Sequence, residues 1–238
     1  MIIPVAELVT LLCHVENVDL AVGRVLTALK DSGKHKNTLV TFTSDNVPET
    51  LRHYKNAARS YGKPDPLRGM KLWTTEAGFR VVGIARWPDT IAAGQVIDTP
   101  VSSLDFLPTF CQLANAPVPT DLALDGTVIS PGFGSSTIPR SKPLLWCYYN
   151  PINEHRVAMR HSNWKVHAKL NGGAIAQILH SNNAETARSA KLTDIEIYRV
   201  TEDISEAKNR DKENPEDLQR LTDVLQTAYA NLIADSHV

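Results

Sequence analysis

Residues 38–44 read Thr-Leu-Val-Thr-Phe-Thr-Ser, a run rich in β-branched side chains, and they lead directly into Asp45 and Asn46. Such a run fits a buried strand, and the two oxygen-bearing residues then stand where that strand leaves its sheet. Strand ends are where ligands collect in α/β proteins. Carboxylate and amide oxygens suit Ca²⁺ or Mg²⁺, whereas zinc favours His or Cys. Asp and Asn ahead of Val47 and Pro48 are equally good turn chemistry. The residues by themselves leave both readings open.

The rest of the chain divides on its helical periodicity and its Pro, Gly and Ser content. Leu8, Leu11, Leu12, Val15, Val18, Val22, Val25 and Leu29 recur at helical spacing and predict an amphipathic helix ending near Ser32 and Gly33. A polar, turn-rich passage occupies residues 47–70, and Lys71 closes the glycine-bearing stretch Leu67-Arg68-Gly69-Met70-Lys71. Residues 81–87 read as a second buried strand, ended by Pro88. Asp105 is placed to cap a helix whose first turn holds Pro108 and whose stripe is Leu107, Phe110 and Leu113. From 117 to 142 the composition shifts to Pro, Gly, Ser and Thr, which marks a boundary.

Beyond that boundary, residues 156–160 and 164–168 flank His161, Ser162 and Asn163 like the arms of a hairpin. Residues 174–179 and 195–200 are candidates for further strands. The end carries a helix signature. Asn214 suits an N-cap, Pro215 the first helical position, and Glu216 and Asp217 the positive end of the dipole. Leu218, Leu221, Val224, Leu225, Ala228 and Leu232 then share a face.

Composition narrows the classes. A hydrophobic fraction of 42% and a net charge of −1 give no sign of disorder, a nucleic-acid surface or a polybasic membrane patch. No apolar stretch approaches the ~20 residues of a membrane-spanning helix. The start lacks a basic segment and carries Glu7 within its short apolar stretch, so it does not read as a signal peptide. Three unpatterned cysteines fit neither a disulfide framework nor a zinc knuckle, and are expected as small buried hydrophobes.

The series Thr43-Ser44-Asp45-Asn46, Leu67-Arg68-Gly69-Met70-Lys71 and Glu76-Ala77-Gly78-Phe79-Arg80 continues through Arg86-Trp87-Pro88. It goes on with Ser103-Leu104-Asp105-Phe106-Leu107-Pro108-Thr109, Leu124-Asp125-Gly126, Glu196-Ile197-Tyr198-Arg199-Val200 and Glu206. In that order it resembles the C-terminal half of a type I, formylglycine-dependent sulfatase, arylsulfatase-like and of the alkaline-phosphatase-like superfamily. The resemblance runs from about Leu11 to about Ala234.

It implies an α/β fold: residues 1–140 as part of an α/β/α sandwich, and residues 141–238 as a small α+β subdomain with an antiparallel sheet and a terminal helix. It implies hydrolysis of a sulfate ester on a sulfated small molecule or carbohydrate, with Asp45 and Asn46 as ligands of a Ca²⁺ ion and Lys71 as a contact to the sulfate. Val47 departs from the Gly that usually follows the Asn, which raises the question of strain there. Full-length relatives are commonly periplasmic, secreted or lysosomal.

The nucleophile motif of the family, C/S-x-P-x-R, has no match. Cys13, Cys111 and Cys147 lie in other contexts, and in Ser136-Thr137-Ile138-Pro139-Arg140 the Pro falls one residue late. The family's first-strand acids and upstream His and Lys have no counterpart either. The chain alone is therefore expected to be inactive. The alternative is a non-catalytic remnant that binds sulfate or a partner. A phosphoester hydrolase of the same superfamily is disfavoured by Asn46, a poor zinc ligand. Glu76 and Arg80 are expected as an internal ion pair and Arg68 as structural. His155, His161, His167 and His180 are expected on or between strands of the small unit, with no proton-transfer role. Sheet edges left open predict self-association.

Overall fold

The computed structural model describes residues 5–49, 62–135, 137–140, 142–148, 150–171 and 188–235. The candidate strand at 174–179 and His180 lie outside the described residues, as do Ser136 and residues 50–61 of the long loop.

The first helix, α1, spans Val5–Asp31. Its end is set by Ser32, whose Oγ donates to Leu29 O at 3.0 Å, and by Gly33 at φ +71, the left-handed position in which glycine ends a helix without a Cβ penalty. Strand β1 (Val40–Thr43) follows and pairs antiparallel with β2 (Gly83–Arg86), Val40 opposite Arg86 and Thr43 opposite Gly83. Among the described residues each has the other as its sole strand partner. Trp87 Nε1 donates to Lys36 O at 2.9 Å and fastens the far end of this ribbon.

The two strands were expected to be buried, and they are not. Phe42 and Ile84 are exposed, as are Val9, Leu12, Val15, Val18, Leu20 and Val25 on α1. Apolar periodicity fixes the element type, but cover must come from a facing layer, and among the described residues none lies over these positions. The same bareness corrects the expectation for the cysteines: Cys13 is exposed, and Cys111 and Cys147 are half-buried.

A short helix, α2 (Glu76–Phe79), precedes β2, and α3 (Phe106–Leu113) follows it. Asp105 does not cap α3 with its side chain. It closes the preceding single 3₁₀ turn instead, where Ser102 N–H donates to Asp105 Oδ2 at 2.7 Å and Ser102 Oγ accepts from Leu104 N–H at 3.3 Å. Fully buried, Asp105 also accepts from Thr127 N–H at 2.7 Å and pairs with Arg140, which ties the 124–140 loop to α3.

The C-terminal part has its own core. Strands β3 (Leu144–Cys147), β4 (Val157–His161), β5 (Trp164–Leu170) and β6 (Leu192–Arg199) form one antiparallel sheet in that order. The β4–β5 hairpin turns at Ser162 with φ +51. Helix α4 (Pro215–Ala234) lays Leu221, Leu225 and Tyr229 against Val157, Met159, Val166, Ala168 and Ile197. Losing a side chain such as Leu221 to Ala would cost about 2–5 kcal/mol. Asn214 precedes the helix without a side-chain cap bond, and Leu232 is exposed while Tyr229 is buried. This is the antiparallel sheet with a terminal helix that the sequence led us to expect.

Candidate functional site

Strand β1 delivers Ser44, Asp45 and Asn46 to its C-terminal end. Ser44 Oγ donates to Asn46 O at 2.9 Å and approaches Asp45 Oδ1 at 3.4 Å, and Asn46 Nδ2 donates to Asp45 Oδ2 at 2.5 Å. Asp45 is exposed and Asn46 half-buried, while Val47 beside them is buried and anchors the turn. Val47 is absent from the positive-φ residues, so the strain considered for it does not arise.

Lys71 arrives from 22 residues beyond Glu49, yet its backbone N–H donates to Pro48 O at 3.2 Å. The fold thus brings the three sequence-predicted residues to two adjoining loops. The Lys71 loop is unusually constrained. Gly69 sits at φ +89, where a Cβ would lie 2.3 Å from Thr75 Oγ1, and Leu72 adopts φ +74. Thr75 Oγ1 donates to Arg68 O at 2.6 Å, and Ala77 N–H reaches the same oxygen at 3.0 Å. From the C-terminal part, Ile152 N–H donates to Leu72 O at 3.0 Å, and Asn153 accepts from Thr74 N–H at 3.0 Å.

Behind this loop lies a buried ionic cluster that sequence reasoning missed. Lys165 is 0% exposed, with its Nζ 3.2 Å from Glu76 Oε1 and 4.5 Å and 4.9 Å from the ring centres of Trp146 and Phe79. Those two rings stack at 4.6 Å. His167 Nε2 meets Glu206 Oε1 at 2.6 Å, and Glu206 Oε2 accepts from Glu76 N–H at 2.9 Å. His155 Nε2 stands 3.3 Å from Glu196, which also accepts from Tyr198 OH at 2.8 Å.

Burial lowers the pKa of His167 and of Lys165, and it lowers His155 to about 4 against the pull of Glu196. For Glu206 burial pushes upward, but the His167 hydrogen bond and nearby cations outweigh it, and the carboxyl ends below its usual range. Burial and the Glu196 contact raise Tyr198 to about 12. Glu76 does pair with Arg80, at 3.8 Å, but its nearer cation is Lys165. The signal for this cluster was present as alternation along β5. Val166, Ala168 and Leu170 face the core, and Lys165, His167 and Lys169 face the other way. Alternation of that kind normally means a solvated face, and here Glu76 and Phe79 cover Lys165 and Glu206 covers His167, while Lys169 stays half-exposed.

Residues 9–116 match the family model described as Sulfatase. Human arylsulfatase A is 34% identical over 197 residues, which cover 80% of this chain and 37% of that enzyme. Residues 9–116 therefore carry a sulfatase-family domain. Among solved structures, the PsFucS1 sulfatase from Pseudoalteromonas sp. superimposes with a TM-score of 0.62 at 23% identity, over 90% of this chain and 42% of the other. A structure described as in complex with its substrate, D-glucosamine-2-N,6-O-disulfate, superimposes at 0.59 and 21% identity, over 91% and 40%. These two likenesses carry the fold, an alkaline-phosphatase-like α/β architecture. The chain thus spans roughly two fifths of the length of each of these relatives.

The family's Ca²⁺ can be tested against the residues present. Asp45 and Asn46 supply the right kind of donor, hard oxygen. Between them they bring one formal charge, whereas Ca²⁺ takes roughly six to eight oxygens. Among the described residues no group of three His, Cys, Asp or Glu side chains is placed to hold a metal. In this structure Asn46 also turns its amide nitrogen, not its oxygen, towards Asp45. The pair is a fraction of a coordination shell and does not make a calcium site by itself.

Proposed function

We propose that this chain carries part of the active site of a sulfuric ester hydrolase of arylsulfatase type, with Lys71 as the group that meets the sulfate. The observation that supports this is the juncture of Lys71 with the Asp45–Asn46 turn through the Pro48 carbonyl, within a sulfatase-family domain. Sulfate oxygens gather negative charge as the S–O bond breaks, and an ammonium held beside them stabilises that charge. Asp45 and Asn46 would contribute two oxygens to a metal shell completed by groups from elsewhere in a sulfatase. Residues 1–140 belong to the catalytic α/β part and residues 141–238 to the small subdomain that backs the Lys71 loop. The substrate class is a sulfated small molecule or carbohydrate, in line with the sulfated amino sugar bound by one structural relative.

Within these 238 residues no C/S-x-P-x-R motif supplies a nucleophile. The chain by itself should therefore bind sulfate without turning over an aryl sulfate, since loss of a nucleophile costs orders of magnitude in rate. The test is an aryl sulfate assay with Ca²⁺ present, run beside a titration of inorganic sulfate into ¹⁵N-labelled protein. The reading expects no turnover above a Lys71→Ala control, and a sulfate-dependent shift of the Lys71 resonances. Turnover well above that control refutes the inactivity. Lys71 resonances indifferent to sulfate refute its role.

A further inference from the structure

We infer that Glu206 is a positioning residue for Lys71, a staple that closes both ends of the loop on which Lys71 sits. The inference rests on the reading of Lys71 as the sulfate contact. Glu206 is 135 positions away in sequence and belongs to the turn after β6, yet it touches the loop twice. Its carboxylate Oε2 accepts from the backbone N–H of Glu76 at 2.9 Å, at the far end of the loop. Its backbone carbonyl accepts from Arg68 Nη1 at 3.2 Å, at the near end. Between those two points Arg68 O accepts from Ala77 N–H and from Thr75 Oγ1, so the ends are also held to each other.

The staple is itself held firmly. Glu206 is 1% exposed and sits at φ +50, with its N–H donating to Asp203 O at 3.1 Å. Its second carboxylate oxygen meets His167 Nε2 at 2.6 Å on β5. A non-glycine residue in the left-handed region carries a backbone cost and persists where its surroundings over-determine it. Here the surroundings are a strand on one side and the Lys71 loop on the other. Arg68, which completes the near contact, lies 5.8 Å over the Tyr198 ring and 3.3 Å from its OH, so the guanidinium has little freedom to release the carbonyl of Glu206. The loop therefore takes its shape from the C-terminal sheet. The backbone bond from Lys71 to Pro48 then transfers that shape to the Asp45–Asn46 turn.

Two substitutions separate a staple from a general support of the fold. Glu206→Ala removes the acceptor for Glu76 N–H. Glu206→Gln keeps a carbonyl oxygen for that bond and offers His167 an amide. Amide hydrogen exchange is read in the intact chain at Lys71, Glu76 and Ala77, and at the amides of β4 and β5 for reference. In Glu206→Ala the loop amides should lose about tenfold or more of their protection while the sheet amides change little. Glu206→Gln should restore the loop to within about threefold of wild type.

Inorganic sulfate supplies the second readout. The sulfate-dependent shift at Lys71 should vanish in Glu206→Ala and return in Glu206→Gln. Unchanged loop protection in Glu206→Ala overturns the inference. So does equal loss in loop and sheet, which would make Glu206 a support of the whole subdomain. A wild-type Lys71 that ignores sulfate, with loop amides responding as expected, refutes the sulfate contact and upholds the staple. A sulfate shift that survives Glu206→Ala intact does the reverse.

Discussion

Changing Glu76 to Gln would strand the ammonium of Lys165 beneath the 68–79 segment, and the cost can be estimated from its surroundings. Lys165 has no exposure, and Glu76 Oε1 at 3.2 Å is its nearest carboxylate oxygen. Burial pulls its pKa down, while Glu76 first and Glu206 second pull it back. Breaking a buried pair from one side costs about 3–5 kcal/mol, because the surviving charge is left uncompensated. Glu206 still attracts the ammonium, so Glu76→Gln should fall at the lower end, about 3 kcal/mol.

Lys165→Met removes the buried charge itself and keeps an unbranched chain between Phe79 and Trp146. Glu76 then retains Arg80 at 3.8 Å and Arg160 at 4.0 Å. The loss reduces mainly to the cation–π contacts, about 1–2 kcal/mol. In the double variant no charge is stranded, and the cost should remain near about 2 kcal/mol rather than the summed value of about 4–5 kcal/mol. Urea titrations of dilute protein, followed by tryptophan emission, give the four stabilities. If the single changes add to within about 0.5 kcal/mol, the ion pair is not what holds Lys165, and the reasoning fails.

Acid should weaken the C-terminal sheet. His155 at about 4, and His167 lowered by burial, are neutral in the fold at pH 7, whereas an unfolded imidazole takes up its proton near 6.5. The unfolded chain therefore binds more protons below about 6.5, and stability is lost as pH falls from there towards about 4. Melting temperatures between pH 7 and pH 4.5 should show this slope, and His155→Gln should flatten it. At Gly78 a Cβ would lie 1.8 Å from Trp73 O, a backbone atom that cannot move aside, so Gly78→Ala should cost about 3 kcal/mol in a urea titration. Calorimetric titration of Ca²⁺ should give binding no tighter than about 1 mM, abolished by Asp45→Ala. Micromolar affinity would mean that Glu49 or Asp65 has helped to complete the shell.

The sequence was most legible where a segment carries its own instructions. The long first helix, the hairpin about Ser162 and the Pro215 helix start are local patterns, and each stands where the spacing placed it. Burial of β1 and β2 was misjudged because it depends on a covering layer, and a run such as residues 38–44 is silent on where that layer comes from. Asp105 was read as a helix cap from its position, whereas its partners Thr127 and Arg140 are 22 and 35 residues away. The candidate site was legible in part. Asp45, Asn46 and Lys71 could be named, but the Lys165–Glu76 and His167–Glu206 pairs join distant segments, and alternation on β5 disguised them as a wet surface.

The uneven distribution of core has a bearing on the order in which this polypeptide organises itself. Strands β3, β4 and β5 meet through short connections, and their apolar residues share one core with β6 and helix α4. Strands β1 and β2 must close a loop of about forty residues for four paired positions, with little burial in return. Contacts local in sequence form sooner than those that must first close a long loop. The C-terminal sheet should therefore consolidate before the β1–β2 ribbon, which waits with the apolar side chains of α1 bare to chaperones and to its own kind. Pulse-labelled hydrogen exchange during refolding, comparing β4 and β5 with β1 and β2, reads that order directly. Early protection of β1 would reverse it.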